Sequence, residues 1–594
     1  MLLFLQIAAF CQLLFLPGLL ILRALRYHPA PGTALLLSVP LSGLFNYLLT
    51  LLLYPAGLFT RGIVLSVFIL ETGLLLAAVI RDRKPFPPPV PLHLPPLRAA
   101  ALILAGTTIL IQLGFAVRNT GSIFLSWDSV LSWNRWATAW ADGTFQAQRT
   151  FGYPQLIPCN WAVAYKIIGE PLNFVPKGIA VLCPALISLL LTGIARQRNQ
   201  YALCLAVPLT AWFFHNTDPL AGGGETDFMI AFYCFSAIGF LILNLKEQNW
   251  KLTLCAGLTA ICAACAKQSG LVFLILIPVL VYAWNILRGR KFRRALGIYA
   301  ILAVLTVSPY YLYFATRTEQ GKEHTKLQTV TRDIYGSKSR LEIAASAWKV
   351  VLCKLAAGVP TDSVRHAGTD FSNGFPRGIA ALYSDRLPVM AAGTILTLLI
   401  LISAIKIPVW SKLFYVFALP YTLIWMLFYS YDLRNLMPVQ PLLACGCAFA
   451  AVRIWNRKAL RPVLIALPLA GIFLTAGRLD FRRIQQEQKV RIGSPGLNRE
   501  LEHCKLLMPC ATDYQFLEFI PGFGTESFVF VEYSLGSQLT CHINAVGKPA
   551  VRSLLVPDYA AKEFQEDLAR RLKNGEIQLI FRKYGYRFYK KTEL

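Results

Sequence analysis

One polar stretch reads SWDSVLSWNRW, residues 126–136, and lies between two apolar runs. It belongs to the only long polar loop in the first half of the chain, so the other segments are interpreted by how they place it. Trp133, Trp136 and Trp140 follow one another at helical spacing, which puts the three rings on one face of a helix. Because indole rings favour the membrane–water boundary, the pattern predicts a short interfacial helix.

Asp128 opens this predicted helix a few residues beyond a predicted membrane span. One interpretation is a cap: with Ser126, its side chain would accept the free N–H groups of the first helical turn. The other interpretation is one half of a catalytic cleft at the bilayer surface. From these residues alone, the capping and the catalytic interpretations are equally supported. The topology and the partners described below favour catalysis.

The composition is that of a polytopic membrane protein. The chain has 594 residues, of which 56% are hydrophobic, and a mean hydropathy of +0.51. Many apolar runs approach the length that crosses a bilayer. The first run, residues 2–22, has no basic segment before it and no small-residue cleavage site after it, so we interpret it as a span and not as a signal peptide.

The formal net charge of +27 does not indicate nucleic-acid binding. The Lys and Arg residues concentrate in short loops between apolar runs, which is typical of cytoplasmic loops in membrane proteins. Most of the 14 cysteines fall inside apolar runs, where a thiol behaves as a small hydrophobic group. Cys504, Cys510 and Cys541 lie in the polar tail, where one disulfide is allowed but no pairing is selected.

We predict about fourteen transmembrane helices, with every short basic loop on the cytoplasmic side. The N-terminus and the loops 118–175, 215–227, 315–387 and 430–436 are then extracytoplasmic. Within the first of these loops, Tyr153 to Gly169 is interpreted as a second interfacial helix. The predicted spans are 2–22, 33–54, 62–80, 99–117, 176–195, 201–214, 228–245, 252–266, 271–287, 295–314, 388–405, 413–429, 437–455 and 462–476.

The predicted fold class is an all-α membrane domain followed by a small α/β domain. Residues 1–98 form an N-terminal three-span extension, residues 99–477 the catalytic membrane domain, and residues 478–594 a soluble extracytoplasmic domain. The tail predicts strands at 528–531, 577–581 and 586–589, and a helix over 558–574 whose Phe564, Leu568 and Leu572 share a face.

This topology brings polar residues from several loops to the outer side. Ionisable groups near a bilayer usually line a watery cavity or pair with one another, because burying a lone charge is costly. Acids here could act as a general base on an acceptor hydroxyl or hold a divalent cation, and cations could neutralise a phosphate leaving group. The set comprises Asp128, Arg135, Tyr153, His215, Asn216, Glu225, Asp227, Lys267, Gln268, Arg434 and Asn435.

Each member also has a plainer interpretation. Glu225 and Asp227 could be first-turn anions that the helix dipole favours. Lys267 could extend to the interface as lone lysines at span ends do. Arg434 could form a local ion pair with Asp432, and His215 could cap or pack. What favours a functional site is that all of these residues are predicted to lie on the same side of the membrane.

The order of these motifs resembles the GT-C superfamily, the integral-membrane glycosyltransferases that include protein O-mannosyltransferases and the aminoarabinose transferase of lipid A. Three spans precede the usual first helix, and Asn435 stands where an aromatic residue is commoner. The resemblance covers roughly residues 99–455. It is carried by Trp127-Asp128-Ser129, Tyr153-Pro154-Gln155-Leu156, Glu225 or Asp227, Ala266-Lys267-Gln268-Ser269-Gly270 and Arg434-Asn435-Leu436-Met437-Pro438.

The resemblance implies sugar transfer from a polyprenyl-phosphate-linked donor to a cell-envelope acceptor, at the outer face of the inner membrane. It implies catalytic roles for Asp128, Glu225 and Asp227. Asp128 and Glu225 are also candidate ligands for Mg²⁺ or Mn²⁺. The rival hypotheses are a flippase or transporter of lipid-linked sugars, for which Glu71 is the main mid-span acid, and a non-catalytic envelope-assembly protein. The resemblance also implies that substrate and lipid phosphate are bound by Arg135, Tyr153, His215, Lys267, Gln268 and Arg434.

Overall fold

The structure of the chain is a computed structural model. It describes residues 2–81, 95–119, 129–145, 147–150, 152–169, 174–214, 224–283, 290–316, 412–424, 433–454, 469, 528–530, 553–557, 562–583 and 586–592.

The first half of the described chain is helical. Its α-helices are α1 (Leu2–Leu14), α2 (Leu16–Ala24), α3 (Pro31–Leu53), α4 (Arg61–Arg81), α5 (Pro96–Asn119), α6 (Arg135–Asp142), α7 (Leu156–Ile168), α8 (Phe174–Gln197) and α9 (Ala206–Phe214). A π-helical turn, Ser129–Asn134, leads directly into α6. Short 3₁₀ helices at Ala147–Thr150 and Tyr201–Leu205 precede α7 and α9.

The second half adds further helices and a small sheet. The helices are α10 (Asp227–Glu247), α11 (Trp250–Ala266), α12 (Leu271–Ala283), α13 (Arg290–Thr316), α14 (Lys412–Ile424), α15 (Gln440–Ile454) and α16 (Lys562–Lys573). Two 3₁₀ helices, Gln268–Gly270 and Leu433–Val439, lead into α12 and α15. The strands are β1 (Phe528–Phe530), β2 (Ser553–Pro557), β3 (Ile577–Lys583) and β4 (Tyr586–Lys591).

Seven helical segments in the described part of the chain, with α1 and α2 taken together as one, are long and apolar enough to cross a bilayer. They are apolar on all sides, as expected where both the protein interior and the lipid are hydrocarbon. On α4, large side chains such as Ile69 and Leu70 are exposed on the outside of the bundle, which fits contact with lipid. The predicted multi-pass membrane protein is confirmed in this coarser form, and the count of fourteen spans stays a prediction.

Helix α10 occupies the centre of the bundle. Nearly all of its residues are buried, and it packs against α8, α11 and the 3₁₀ helix Leu433–Val439. Gly239 allows the close approach of α8, because a Cβ there would lie 2.8 Å from Leu190 Cδ2. The helix that begins at Asp227 is therefore held on several sides, and so is its first turn.

The first three helices share a core with the later ones. Both α1 and α3 pack against α7, and one continuous cluster of buried apolar residues extends from Ala8 to Phe449. Buried amides join these helices: Gln12 Nε2 donates to Asn46 Oδ1 (3.1 Å), and Asn46 Nδ2 donates to Asn160 Oδ1 (3.2 Å). Among the described residues the buried core is continuous across position 98. The domain boundary predicted there stays a prediction.

The described parts of the predicted basic loops meet at one end of the bundle, which we call the basic end. There Arg98 Nη1 donates to Asn199 Oδ1 (3.0 Å), and Lys251 Nζ donates to the Arg26 carbonyl (2.7 Å). Tyr27 Oη donates to Glu247 Oε2 at 2.9 Å. Helices α8, α10 and α11 connect this end to the opposite one.

The tail segments form a four-stranded sheet in the order β1-β2-β4-β3. Strands β1 and β2 are parallel, and the other two pairings are antiparallel. Three strands and α16 lie where the sequence predicts them, but β2 is missed by that analysis. Leu568 and Leu572 both lie in α16 at the spacing that puts them on one face; Leu568 is buried, and Leu572 is 42% exposed. The extracytoplasmic location of this α/β region stays a prediction.

Candidate functional site

The end of the bundle opposite the basic end carries several short loops, and we call it the loop end. It is made by the turn before α10, the 3₁₀ helix Gln268–Gly270, the 3₁₀ helix Leu433–Val439 and the segment that contains α6 and Tyr153. The contacts below join these segments to one another. These segments carry Glu225, Asp227, Lys267, Gln268 and Arg434, which belong to the polar set predicted from the sequence.

Lys267 stands where α11 ends and the chain turns back. Its backbone is extended (φ −156°), and the next three residues form a 3₁₀ turn. This turn packs so tightly on α11 that a Cβ at Gly270 would lie 2.1 Å from the Ala263 carbonyl oxygen. Only glycine fits there. The tight turn fixes the position from which the Lys267 side chain extends.

The Lys267 ammonium group bridges two segments. Its Nζ lies 2.6 Å from Asp227 Oδ1 and donates to Asn435 Oδ1 at 3.0 Å. Asp227 is the first residue of α10, where a carboxylate also interacts favourably with the helix dipole. The interpretation of Lys267 as a lone lysine that extends to the interface is therefore wrong, because the ammonium forms an ion pair within the protein.

A second ion pair lies beside the first. Arg434 Nη1 is 3.5 Å from Glu225 Oε1, and Arg434 neighbours the Asn435 that Lys267 contacts. The Asn435 backbone is fixed from α14, since Tyr421 Oη donates to its carbonyl at 3.0 Å. Asp432, the alternative partner considered from the sequence, lies outside the described residues. The two pairs together connect three loops.

The acids of these pairs are more deeply buried than the cations. The side chains of Glu225 and Asp227 are 3% and 7% exposed, whereas those of Arg434 and Lys267 are 18% and 14% exposed. Buried ion pairs contribute little net stability, because desolvation offsets their attraction. Each pair is therefore more consistent with a functional role than with a gain in stability. In both pairs the cation is the more exposed partner, which suits contact with an anion.

Aromatic rings form a second part of the loop end. Tyr153 packs edge-on against Trp133 (5.6 Å between ring centres) and lies 5.9 Å from Trp136. Gln268, the neighbour of Lys267, donates its side-chain amide to the Gly152 carbonyl. This hydrogen bond connects the segment of Tyr153 to the turn that carries the ion pairs.

The tryptophan face is directed into the protein, in contrast to the expected lipid contact. Trp133, Trp136 and Trp140 are buried. Trp140 Nε1 donates to Gln155 Oε1 at 3.3 Å, and its ring packs edge-on against Tyr54 at 4.6 Å. Helical spacing correctly places the rings on one face, but α7 and the end of α3 cover that face.

Helix α7 is also buried and does not lie exposed at an interface. Twelve of its thirteen residues are buried, and it packs against α1, α3 and α6. Its Tyr165 Oη donates to Asn134 Oδ1 at 2.5 Å, immediately before α6. The predicted interfacial helix is therefore an internal support for the aromatic segment.

The predicted site residues divide into three groups. Arg135 begins α6 and is half-buried, and its binding role stays a prediction. Asp128 and His215 lie outside the described residues, so their roles stay predictions. The structure brings together Glu225, Asp227, Lys267, Gln268 and Arg434, with Tyr153 one residue from the Gln268 contact.

The metal prediction finds no support in the described carboxylates. Within the described ranges, no group of three His, Cys, Asp or Glu residues could hold a metal ion. Glu225 and Asp227 each face a cationic side chain, which would repel a second cation. The other predicted ligand, Asp128, lies outside those ranges. We therefore derive no chemistry from a metal ion, and the Mg²⁺ or Mn²⁺ site stays a prediction.

Sequence reasoning gives too little weight to two residues. Asn435 belongs to the predicted polar set, but its amide oxygen is the second partner of Lys267, which no spacing rule reveals. Lys177 lies within a predicted span, and its side chain is fully buried near the start of α8. The available signal was a charge within the first turn of an otherwise apolar helix.

Comparison with known proteins gives structural neighbours alone. No family model and no curated protein matches the chain. Two similar solved structures are of ArnT from Cupriavidus metallidurans, bound to undecaprenyl phosphate and in the apo state. The bound form has 12% identity and a TM-score of 0.45, over 83% of this chain and 98% of ArnT. The apo form has 12% identity and a TM-score of 0.31, over 83% and 97%.

Structural similarity this low shows nothing about activity. The function is therefore inferred from the residues of the site.

Proposed function

We propose that the protein is a membrane glycosyltransferase that moves a sugar from a polyprenyl-phosphate-linked donor to a cell-envelope acceptor at the extracytoplasmic face. The observation that supports this most is the pair of adjacent ion pairs at the loop end, whose cations are the more exposed partners. A phosphate diester at this end of the bundle would bind to Lys267 and Arg434, the more exposed partners. The order of the sequence motifs supports the same class.

The cations have the chemistry that the leaving group needs. When the anomeric carbon–oxygen bond to phosphate breaks, the departing polyprenyl phosphate gains negative charge. Lys267 and Arg434 would stabilise that charge, and such stabilisation is commonly the largest single contribution to catalysis. Glu225 and Asp227 hold the two cations in place. They are therefore positioned to orient the phosphate-binding groups, which is the role we assign to them.

The remaining step is activation of the acceptor. An acceptor hydroxyl would form the new bond to the anomeric carbon and lose its proton to a carboxylate, which we assign to Asp128 as general base. The products are the glycosylated acceptor and polyprenyl phosphate. Tyr153, with Trp133 and Trp136 behind it, would offer an aromatic surface beside the cations to the sugar.

The test compares the cell envelope of a deletion strain with strains that express the wild type or a variant. Mass spectrometry of envelope glycolipids and glycoproteins should show a product that lacks one sugar in the deletion strain and is restored by the wild type. Arg434→Met should restore less than about one hundredth of the transfer rate, because one preorganised charge contributes on the order of 10²–10³ in rate.

Arg98→Met is the matched control, since Arg98 binds Asn199 and Tyr201 at the basic end. It should restore the product fully. An unchanged envelope in the deletion strain, or equal restoration by Arg434→Met and Arg98→Met, would contradict the proposal. Movement of labelled donor across proteoliposomes that contain no acceptor would instead favour the flippase.

A further inference from the structure

Glu71 is a buried acid that the proposed function does not use. It lies in the apolar helix α4, midway between Arg61 and Arg81 at the helix ends and about 15 Å from each along the axis. The residue is 6% exposed. An ionised carboxylate at such a position is costly unless a cation pairs with it, because the surroundings do not solvate the charge. The neighbours of Glu71 therefore determine its chemical state.

The surroundings of the Glu71 carboxyl group are polar on one side and carry no paired cation among the described residues. Neither of its buried oxygens accepts a well-formed hydrogen bond, although the Gln12 side chain lies beside the group. Helix α4 packs against α2 and α7. The titratable side chains of these two helices, and of the helix α1 that carries Gln12, are Cys11, Arg23, Cys159, Tyr165 and Lys166.

The two cations in this set lie toward the ends of α4. Lys166 is placed over the Phe59 ring, just before α4 begins. Arg23 lies in the last turn of α2, close to Arg26 at the basic end. Neither is therefore positioned to neutralise an acid in the middle of α4.

Gln12 is the first member of a chain of buried amides whose donors point toward α7. Its Nε2 donates to Asn46 Oδ1 (3.1 Å), and Asn46 Nδ2 donates to Asn160 Oδ1 (3.2 Å). Asn160 Nδ2 in turn donates to the Gly43 carbonyl at 2.9 Å. The oxygen of the first amide, Gln12 Oε1, has no donor. The chain therefore begins with an unfilled acceptor beside a carboxyl group that also lacks a donor.

A proton fits this group of acceptors better than a metal ion does. Hard metal cations take about six or more oxygen ligands, whereas Glu71 and Gln12 together offer three oxygens that lack a donor. A proton needs one oxygen to carry it and one to accept the hydrogen bond. The neutral acid has such an O–H donor, and it no longer buries a charge.

We propose that Glu71 is an intramembrane proton-binding site, at which the protonated carboxyl group donates its O–H to Gln12 Oε1. The proton is taken up from water by the carboxylate, and no other bond changes. The bound proton supplies the first donor of the amide chain and so connects α4, through α1 and α3, to α7. This site is separate from the loop end and does not depend on the proposed sugar transfer.

The test treats the purified full chain in lipid nanodiscs with dicyclohexylcarbodiimide, which reacts with protonated carboxyl groups. The acid proton moves to a carbodiimide nitrogen, a carboxyl oxygen bonds to the central carbon, and rearrangement to a stable N-acylurea retains every atom of both reactants. Peptide mass spectrometry then measures the labelled fraction at each glutamate. Glu71→Gln shows that a labelled peptide is assigned correctly, since its label should disappear.

Glu247 is the control within the same molecule, because it is exposed and accepts hydrogen bonds from Tyr27 and Gln197. A glutamate in water is protonated less than about 1% of the time at pH 7, so Glu71 should be labelled about 100-fold faster than Glu247. Labelling of Glu71 no faster than that of Glu247 would overturn the proposal. Exchange of choline for Na⁺ at constant ionic strength should leave the rate unchanged, and protection by Na⁺ would assign the site to a metal ion instead.

Two further variants test the hydrogen bond to Gln12. Glu71→Gln supplies a neutral N–H donor of the same size, and we expect its melting temperature to equal that of the wild type at pH 7. Glu71→Met supplies no donor and should melt lower, because the chain loses a buried hydrogen bond. Glu71→Met at least as stable as the wild type would show that the carboxyl group donates nothing to Gln12.

Discussion

Among single side chains, Lys267 is the one on which the described site depends most. It joins α10 to the 3₁₀ helix Leu433–Val439 through Asp227 and Asn435. A snorkelling lysine would be replaceable at little cost. A lysine that neutralises a carboxylate with 7% side-chain exposure is not, because its loss leaves a buried charge without its cation.

We therefore predict strong coupling between Asp227 and Lys267. Lys267→Met should lower the free energy of unfolding by about 3–5 kcal/mol, and adding Asp227→Asn should recover a large part of that loss. A double-mutant cycle measured by denaturant unfolding in detergent should give an interaction energy of about 1–3 kcal/mol. Strictly additive effects of the two substitutions would show that the pair contributes nothing as a unit.

Sequence reasoning could find the charged residues of the site but not their pairing. Loop sidedness correctly gathered Glu225, Asp227, Lys267 and Arg434 at one end of the bundle. Which acid meets which cation depends on packing between helices that are far apart in the chain, and no local pattern encodes that.

Among helices and turns, the turn between α11 and α12 sets the geometry of the site. Gly270 lies against the α11 backbone, and backbone atoms cannot move aside as a flexible side chain can. The turn therefore has one conformation, and that conformation determines where Lys267 is placed.

Gly270→Ala should displace this turn and both lower stability and abolish the Lys267 contact to Asp227. We expect a loss of several kcal/mol, since overpacking against backbone exceeds the usual ~1–3 kcal/mol of core overpacking. Gly106→Ala is the control: Gly106 lies in α5 with no atom within 4 Å of a new Cβ, and alanine favours a helix. Equal melting temperatures for the two variants would contradict the account of this turn.

The turn between α2 and α3 yields a pH-dependent prediction. Burial, and to a smaller extent the hydrogen bond to Glu247, raise the pKa of Tyr27. A raised pKa in the folded state means that the contribution to stability is complete below the ordinary tyrosine value of about 10 and is lost as the pH rises through the folded-state pKa.

Tyr27→Phe should therefore lower the free energy of unfolding by about 1 kcal/mol at pH 7 to 9. The difference from the wild type should shrink above about pH 10. Chemical unfolding across this pH range measures both curves. A difference that grows with pH would mean that the phenol ionises more easily in the folded protein, whereas its burial raises the pKa.

Helical periodicity and burial gave different information about α6 and α7. The tryptophan spacing correctly predicted one aromatic face, but a face rich in indole rings suits a lipid boundary and a protein core equally well. Two contacts of Trp140 decide between these environments. Tyr54, which is distant in the chain, packs against its ring, and Gln155, directly before α7, accepts a hydrogen bond from its indole N–H. A single sequence cannot show such long-range partners.

For the protein as a whole, the separation into a basic end and a loop end is the main result. Short loops rich in Lys and Arg predicted this separation, because membrane topology depends on loop charge. Contacts such as Arg98 with Asn199 and Lys251 with Arg26 show that the described parts of these loops lie together. Which end faces the cytoplasm stays a prediction.

Cysteine labelling of intact cells tests this orientation. Asp142→Cys lies at the loop end and is exposed, and Gln248→Cys is exposed at the basic end. A membrane-impermeant maleimide should label the first and not the second, measured against the labelling of the parent protein. After the cells are opened, both should react. Labelling of Gln248→Cys alone in intact cells would reverse the topology and place the site in the cytoplasm.

The hydrogen bond from Asn46 to Asn160 has a consequence for biosynthesis. The two residues are 114 positions apart, so α1 and α3 enter the lipid long before the ribosome has made their partner on α7. In that interval Gln12 and Asn46 can bind each other, so these two amides have a partner in hydrocarbon before the third is made. Once Asn160 has been synthesised, it can bind Asn46 and connect the first helices to α7.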